Sequence, residues 1–455
     1  MSATPGGRLA GTDTSKSITI VGAGLGGALM SVFLGRAGHR VRVYERRPDP
    51  RRGGSGRARS INLAISTRGL AALERVGLDQ KLLEVAIPMR GRMVHAVDGG
   101  LTFQPYGHEA HHVIHSVSRA GLNRLLVETA EAMENVEVFF GRRCVDVDLA
   151  RATGVFADID TGATSSVAAD LLIGADGAFS EVRLAMQKTD RFEYAQSFLQ
   201  HGYKELTIPA AAGGGFRMER NALHIWPRGG FMMIALPNVD GSYTGTCFWP
   251  FTGPNSFSSL ATREKVRAFF ERTFPDVVPL MPALEEDFLS NPVGSLVTVR
   301  CAPWRHENRV ALLGDAAHAI VPFYGQGANA SFEDCIVLDE CLREFSGDVA
   351  EALQTYERRR KRHADALADL AIGNFLEMRD KTASKTFLFG KKAEKLLAKL
   401  FPGRFVPLYY MVTFSRTPYA DAVQRARTQW RAVFAAAGLA LLTILVVLAA
   451  VLAWR

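Results

Sequence analysis

Gly22-x-Gly24-x-x-Gly27, Asp176-Gly177 and Gly314-Asp315 are the patterns in this chain best suited to hold a ligand. In the first, glycines permit a tight turn, close approach of backbone to a pyrophosphate, and close packing of a helix on a strand. Unpaired N–H groups at the start of the following helix suit phosphate oxygens. Glu45, eighteen residues past Gly27, is placed to accept hydrogen bonds from a ribose, and Tyr44, Arg46 and Arg47 flank it as further cofactor contacts. Asp176 and Asp315 each sit beside a glycine after a short apolar run. An ordinary nicotinamide dehydrogenase needs no such pair of distant turns. The stretch GDAAHAIVPFYGQGAN, Gly314 to Asn329, mixes Asp, His, Gln and Asn with small residues. A plain core helix would be more apolar and a plain loop more polar, so its backbone is expected to lie against a bound group. His318 reads as structural, because no acid or nucleophile is seen to pair with it.

The elements that must position these residues follow from local pattern. Ser17 to Val21 is an apolar β-branched strand; a helix ending at Gly38 and the strand around HRVRVYERR complete a βαβ unit. Ser66 to Val76 and Ser118 to Glu134 read as amphipathic helices, the second with a Ser N-cap. Ala169 to Gly174 and Arg309 to Leu313 read as strands leading into the two aspartate turns. From Gly202 to Pro250, short alternating or aromatic runs between Gly, Pro and Asn predict an antiparallel sheet. Ala330 to Glu344 and most of Asp348 to Phe401 are expected to be helical.

The chain has 455 residues, a formal net charge of +8, 22% charged and 47% hydrophobic residues, which fits two or three domains around a large core. Its arginines are scattered, with no zinc-finger spacing and no basic stripe interleaved with aromatics, so nucleic acid is not the expected partner. Anionic ligands or anionic lipid fit the charge better. Five cysteines, none in C-x-x-C, argue for a reduced, cytosol-facing protein. Residues 1–16 lack the apolar core of a secretory signal and read as a disordered lead-in. Ala432 to Trp454 holds twenty-three residues without a charge, preceded by Arg425, Arg427 and Arg431. At ~1.5 Å per residue this run spans a bilayer core of ~30 Å, with its basic flank on the cytoplasmic side. A single-pass C-terminal anchor is therefore expected. The short tail and the Ala/Arg-rich usage favour a bacterial inner membrane over the mitochondrial outer membrane. His111 and His115 are the histidines of GHEAHHVIH that suggest ligation, but no carboxylate is seen to complete a set, so no metal is expected.

Taken in order, the three glycine motifs resemble the class A flavoprotein aromatic hydroxylases. The segments RSINLAIS, IPMRGRMVH, HGYKELTIP, LHIWPR, FMMIALPN, GDAAHAIVPFYGQGAN, FEDC and PLYYMVTFSR, across residues 17–430, resemble the kynurenine 3-monooxygenases within that class. The resemblance implies an α/β fold: a Rossmann-like FAD-binding domain (17–85, 118–200 and 290–345) and an antiparallel substrate-domain sheet (86–117 and 201–289). A helical region (346–431) closes the substrate pocket ahead of the transmembrane helix (432–454). It implies bound FAD, with Gly22, Gly24, Gly26, Gly27, Ala64, Arg119, Cys144, Asp176, Gly177, Asp315, Gly327, Ala328 and Asn329 among its contacts, and the helix near Ala328 aiming its positive end at the flavin. It implies an L-kynurenine carboxylate held by Arg92, Tyr106 and Asn374, with Glu377, Met378 and Tyr409 lining the pocket and Phe323, Tyr324 and Gln326 facing the substrate ring.

The reaction so implied is hydroxylation of L-kynurenine to 3-hydroxykynurenine, in tryptophan catabolism, with NADPH and molecular oxygen as co-substrates and a flavin 4a-hydroperoxide as oxidant. The flavin does the chemistry, and no catalytic side chain is assigned. Without a second GxGxxG unit, NADPH is expected to dock transiently on the FAD domain. The chain departs from the family at Ala328, where Met is common, and in its histidine-rich 107–115 segment. Other readings are a related membrane-associated flavin monooxygenase or reductase with another aromatic or lipid substrate, and a flavin-binding membrane scaffold without catalysis.

Overall fold

The computed structural model describes residues 15–51, 62–107, 109, 111–377 and 385–454, so Met378 and nearly all of the expected lead-in lie outside the described residues. Its central sheet has six strands in the order Arg305–His306, Val310–Leu312, Leu171–Gly174, Ser17–Val21, Arg40–Glu45, Val136–Phe140. All neighbours are parallel except the short edge pair. The inner strands Val310–Leu312, Leu171–Gly174 and Ser17–Val21 are buried over nearly their whole length, as covering on both faces requires. The crossover helix Leu25–Arg36 is buried over most of its length. Three neighbouring strands end at Leu312, Gly174 and Val21, so the Gly314, Asp176 and Gly22 turns all leave one edge of the sheet. Carboxyl ends of parallel strands are where open α/β sheets bind ligands.

The second sheet has seven strands: Gly294–Ala302, Glu193–Ile208, Tyr243–Pro250, Met232–Pro237, Ala222–Pro227, Gly91–His95 and Leu101–Pro105. The expected antiparallel sheet needs two amendments. Ala222–Pro227 pairs in parallel with Gly91–His95, because that strand arrives from a distant part of the chain. Glu193–Ile208, sixteen residues long, also pairs with Gly294–Ala302, which puts Glu193–Leu199 and Gly294–Ala302 in this sheet rather than with the nucleotide-binding part. One face of the sheet packs on Arg263–Thr273 and Leu284–Ser290 through Trp249, Phe269, Phe270, Phe274 and Phe288. Each such side chain contributes roughly 1.5–3 kcal/mol by leaving water. The other face is left to line a cavity.

Beyond Gly327–Glu344 the chain is helical: Val349–Leu376, Lys385–Leu400, Leu408–Thr413 and Tyr419–Ala453. The last helix has 35 residues and is long and apolar enough to cross a membrane; its apolar window is 0% buried against the rest of the chain.

Candidate active site

One cavity of about 600 Å3 runs from the strand ends of the first sheet to the open face of the second. At the first end its wall includes Gly22, Gly24, Gly26, Tyr44, Glu45, Arg46, Arg47, Ala64, Arg119, Cys144, Asp176, Gly177, Asp315, Gly327 and Ala328. The local geometry explains why these positions need small residues. Gly22 has φ +100°, and a Cβ there would lie 2.6 Å from the Ala175 carbonyl oxygen. A Cβ on Gly24 would meet nothing within 4 Å, because that position faces the cavity. Gly27 is not on the wall; it packs against the Gly22 carbonyl, where any side chain would collide.

Glu45 accepts from the Ala23 N–H at 2.9 Å and from the Arg47 backbone and Nε at 2.9 Å, so it ties the glycine turn to the second strand. Asp176 accepts at one oxygen from the Glu181 N–H (2.8 Å), while its buried Oδ1 has no protein partner. Burial raises the Asp176 pKa, which suits an oxygen that faces a ligand hydroxyl. Burial likewise pushes the Cys144 thiol up to about 12, leaving it neutral. The helix Gly327–Glu344 begins on the wall with no side-chain cap at Gln326, so its first N–H groups are free for a ligand acceptor. A glycine cradle, an orphaned carboxylate oxygen and an open helix start fit the phosphates, ribityl hydroxyls and ring of FAD.

The other end of the cavity is walled by Arg92, Tyr106, Tyr324 and Tyr409, with Phe323, Leu223, Met232, Ile234 and Phe248 supplying hydrocarbon. The Arg92 guanidinium lies 5.1 Å from the Tyr409 ring centre and 5.8 Å from that of Tyr106. No acid among the described residues forms an ion pair with it, and its buried Nε has no protein partner. Burial opposes its charge, but the oxygens of Tyr409 and Tyr106 outweigh burial and hold the pKa above its ordinary value. Burial raises the Tyr106 and Tyr324 pKa values, so both stay phenols at neutral pH. The arrangement is a fixed cation with hydroxyl groups around it and no anion paired with it among the described residues.

Besides Gly27, four residues expected to touch ligand are not on the wall. Gln326 is 1% exposed and joins the Ser66 and Tyr419 hydroxyls, because its loop turns inward before the helix. Asn329 is fully buried and holds Ser66 N–H, Ala64 carbonyl and Gly325 carbonyl together. Asn374 donates to the Phe323 carbonyl at 2.6 Å, so it supports the flavin-side loop from outside the cavity. Glu377 is near enough to Tyr324 to act on it electrostatically but is not on the wall.

His318 corrects the sequence reading in one respect. Its Nε2 lies 2.5 Å from Asp334 Oδ2, so an acid does pair with it. Asp334 also binds Arg360, and Arg360 binds Glu333, which binds Arg68 at 2.6 Å. Arg68 reaches the Val412 and Thr417 carbonyls and stacks 4.0 Å from the Tyr419 ring centre. This buried network fastens the Gly314–Asn329 loop to the C-terminal helices, and the structural reading of His318 stands on it. The histidine-rich segment needs a second correction. Glu109 joins His111 and His112, not His115, with ligand atoms within 4.8 Å of one another. The carboxylate was missed because it precedes the histidines in a loop. Glu109 and His111 are exposed, and none of the three lines the cavity.

The sequence also left Arg142, Arg143, Leu223, Met232, Ile234 and Phe248 unassigned, although all line the cavity. Alternation in ALHIWP and FMMIALP marked the strands, but both faces are apolar and nothing local says which one meets a ligand.

Comparison with known proteins agrees with this geometry. The FAD binding domain family matches residues 15–371. "Kynurenine 3-monooxygenase" of Myxococcus xanthus is 51% identical over 408 residues, covering 90% of this chain and 88% of that protein. The protein of that name from Salinispora tropica is 50% identical, with 96% and 97% covered, and that from Dictyostelium discoideum is 47% identical, with 90% of each covered. Among solved structures, 2-methyl-3-hydroxypyridine-5-carboxylic acid oxygenase shares the fold at TM-score 0.65 and 19% identity, covering 90% of this chain and 98% of that one. P. aeruginosa PqsL, in complex with 2-aminobenzoylacetate, does so at TM-score 0.62 and 21% identity, covering 80% and 97%. With its strand-end cradle and its buried arginine on one cavity, this chain belongs to the FAD-dependent kynurenine 3-monooxygenase family.

Proposed function

We propose that this chain hydroxylates L-kynurenine to 3-hydroxykynurenine with NADPH and oxygen. The observation that carries the proposal is Arg92: a buried cation with no acidic partner among the described residues, on the same cavity as the dinucleotide cradle. A guanidinium so placed grips a carboxylate in two parallel hydrogen bonds, and the Tyr106 and Tyr409 hydroxyls add donors beside it. Leu223, Met232, Ile234 and Phe248 keep the aryl ring dry and directed along the cavity. When bound, FAD supplies the reductive activation of oxygen. The aniline amine of kynurenine already enriches the ring carbon beside it, so no side chain has to remove a proton to activate the ring. The chain's own work is to orient that carbon and exclude water. The names of the relatives disfavour a different aromatic or lipid substrate.

NADPH consumption with and without L-kynurenine, with product mass, tests the proposal. The expected result is strong stimulation and a product heavier by one oxygen. Unstimulated oxidation, or peroxide as the sole product, contradicts it.

We further propose that Tyr419–Ala453 anchors the protein in a membrane, with the catalytic body on the cytoplasmic face and a bacterial inner membrane as the compartment. The unburied apolar window and the preceding Arg425, Arg427 and Arg431 support this. A chain ending before Ala432 should leave the membrane fraction for the supernatant; retention there would refute the anchor.

A further inference from the structure

Lys385–Leu400 is a helix whose two sides have different surroundings. At 3.6 residues per turn, Phe389, Leu396 and Leu400 fall on one stripe. They are 74%, 56% and 60% exposed, and Phe401 continues the stripe at 50%. Lys392 and Lys399 border that stripe on one side, Lys395 lies farther round, and all three are exposed. Glu394 lies on the opposite side, half-buried, close enough to Tyr324 and Tyr410 to raise their pKa values. Glu394 thus sits on the side toward these tyrosines, and the other side presents hydrocarbon edged with cations.

The chain that follows fixes where this outer side sits. The Val406 N–H donates to Gln429 Oε1 at 3.0 Å, and Gln429 Nε2 donates to the Val406 carbonyl at 2.9 Å. Arg425 donates to the Gly403 carbonyl at 2.8 Å, and Phe405 packs edge-on against Trp430 at 5.5 Å. Gln429 is three residues before the uncharged run begins at Ala432, a rise of ~5 Å. Residues 401–406 are thus stitched to the helix where the bilayer surface would lie, and Trp430 is the kind of side chain that settles at that depth.

We propose that Lys385–Leu400 is a lipid-contacting helix, with Phe389, Leu396, Leu400 and Phe401 in the acyl boundary and Lys392, Lys395 and Lys399 among anionic headgroups. The inference rests on the tail-anchor reading. The same face of a second copy is a poorer occupant, because pairing the two would set like charges together.

The test is hydrogen exchange on the full-length, flavin-loaded chain in nanodiscs of phosphatidylcholine with and without phosphatidylglycerol. Exchange of amides 389–401 should slow by roughly tenfold when phosphatidylglycerol is present. Phe389→Ser with Leu396→Ser, or Lys392→Glu with Lys399→Glu, should remove that protection while flavin absorbance and disc incorporation persist. Equal exchange in both discs and in both variants overturns the inference alone. Failure to enter discs at all defeats the anchor reading and this inference with it. Protection that depends on protein concentration rather than on phosphatidylglycerol assigns the face to a second copy and overturns lipid contact.

Discussion

The two ends of the cavity are built by different means. The nucleotide end is made mostly of backbone: turns at Gly22, Asp176-Gly177 and Gly314 leave adjacent strand ends, and Gly22 lies so near Ala175 that no Cβ fits. The substrate end is made of side chains from four separate segments: Arg92, Tyr106, Tyr324 and Tyr409. A backbone site depends on volume, because a methyl group placed against a carbonyl must move the chain. A side-chain site depends on charge and donors, because the groups that meet the ligand are themselves the side chains. Substitutions at the two ends should therefore fail in different ways.

Gly22→Val should give the largest effect. Its Cβ would lie 2.6 Å from the Ala175 oxygen at a φ of +100°, so the purified variant should lack flavin absorbance and activity altogether. A yellow, active Gly22→Val protein would break the distinction. Arg92→Ala should do the reverse, retaining flavin while kcat/KM for L-kynurenine falls by ~2–5 kcal/mol, about 30-fold to several thousand-fold. Arg92→Lys should recover only part, since an ammonium cannot form the paired hydrogen bonds. Steady-state kinetics beside a flavin spectrum separates the two outcomes.

Away from both ends, His224 provides a pH prediction. Its ring contacts His95 at 2.8 Å and the Glu219 carbonyl at 2.8 Å, with Asp276 on the far side of His95 and Tyr243 edge-on. Burial lowers its pKa to about 4 from 6.5. Below about 6.5 the unfolded chain takes up a proton that the folded chain refuses, so stability falls as pH drops toward 4, by up to about 3 kcal/mol. His363, also lowered to about 4 by burial, adds in the same direction. Thermal unfolding from pH 7 to pH 4 should show this slope, and His224→Gln should flatten part of it. An unchanged slope would refute the assignment.

Asn374→Ala should give the smallest effect. Asn374 donates to the Phe323 carbonyl from behind the wall, and losing that hydrogen bond should cost ~0.5–1.5 kcal/mol, a two- to tenfold rise in KM. A loss as large as that of Arg92→Ala would place Asn374 on the substrate carboxylate and sharpen the substrate end.

The same contrast explains what was legible in the chain. Gly22-x-Gly24-x-x-Gly27, Asp176-Gly177 and Gly314-Asp315 could be read directly because backbone geometry demands particular residues at adjacent positions. Arg92 and Tyr106 became candidates only through resemblance, since convergence in space leaves no local pattern. Gln326, Asn329 and Asn374 were expected on the ligand and lie behind the wall, because a polar residue in a tight loop serves backbone and ligand equally well on paper. His318 lacked a visible partner because Asp334 is sixteen residues away and reaches it only through the helix packing. The parallel pairing of Ala222–Pro227 with Gly91–His95 was hidden for the same reason.

The central claim is that Arg92 selects substrates by their carboxylate within a flavin-lined cavity. NADPH oxidation by the flavin-loaded enzyme should be measured with L-kynurenine and with its decarboxylated amine, in the native chain and in Arg92→Ala. The account predicts strong stimulation by L-kynurenine alone in the native chain, and no distinction between the two compounds in the variant. Equal stimulation of the native enzyme by both compounds would contradict it.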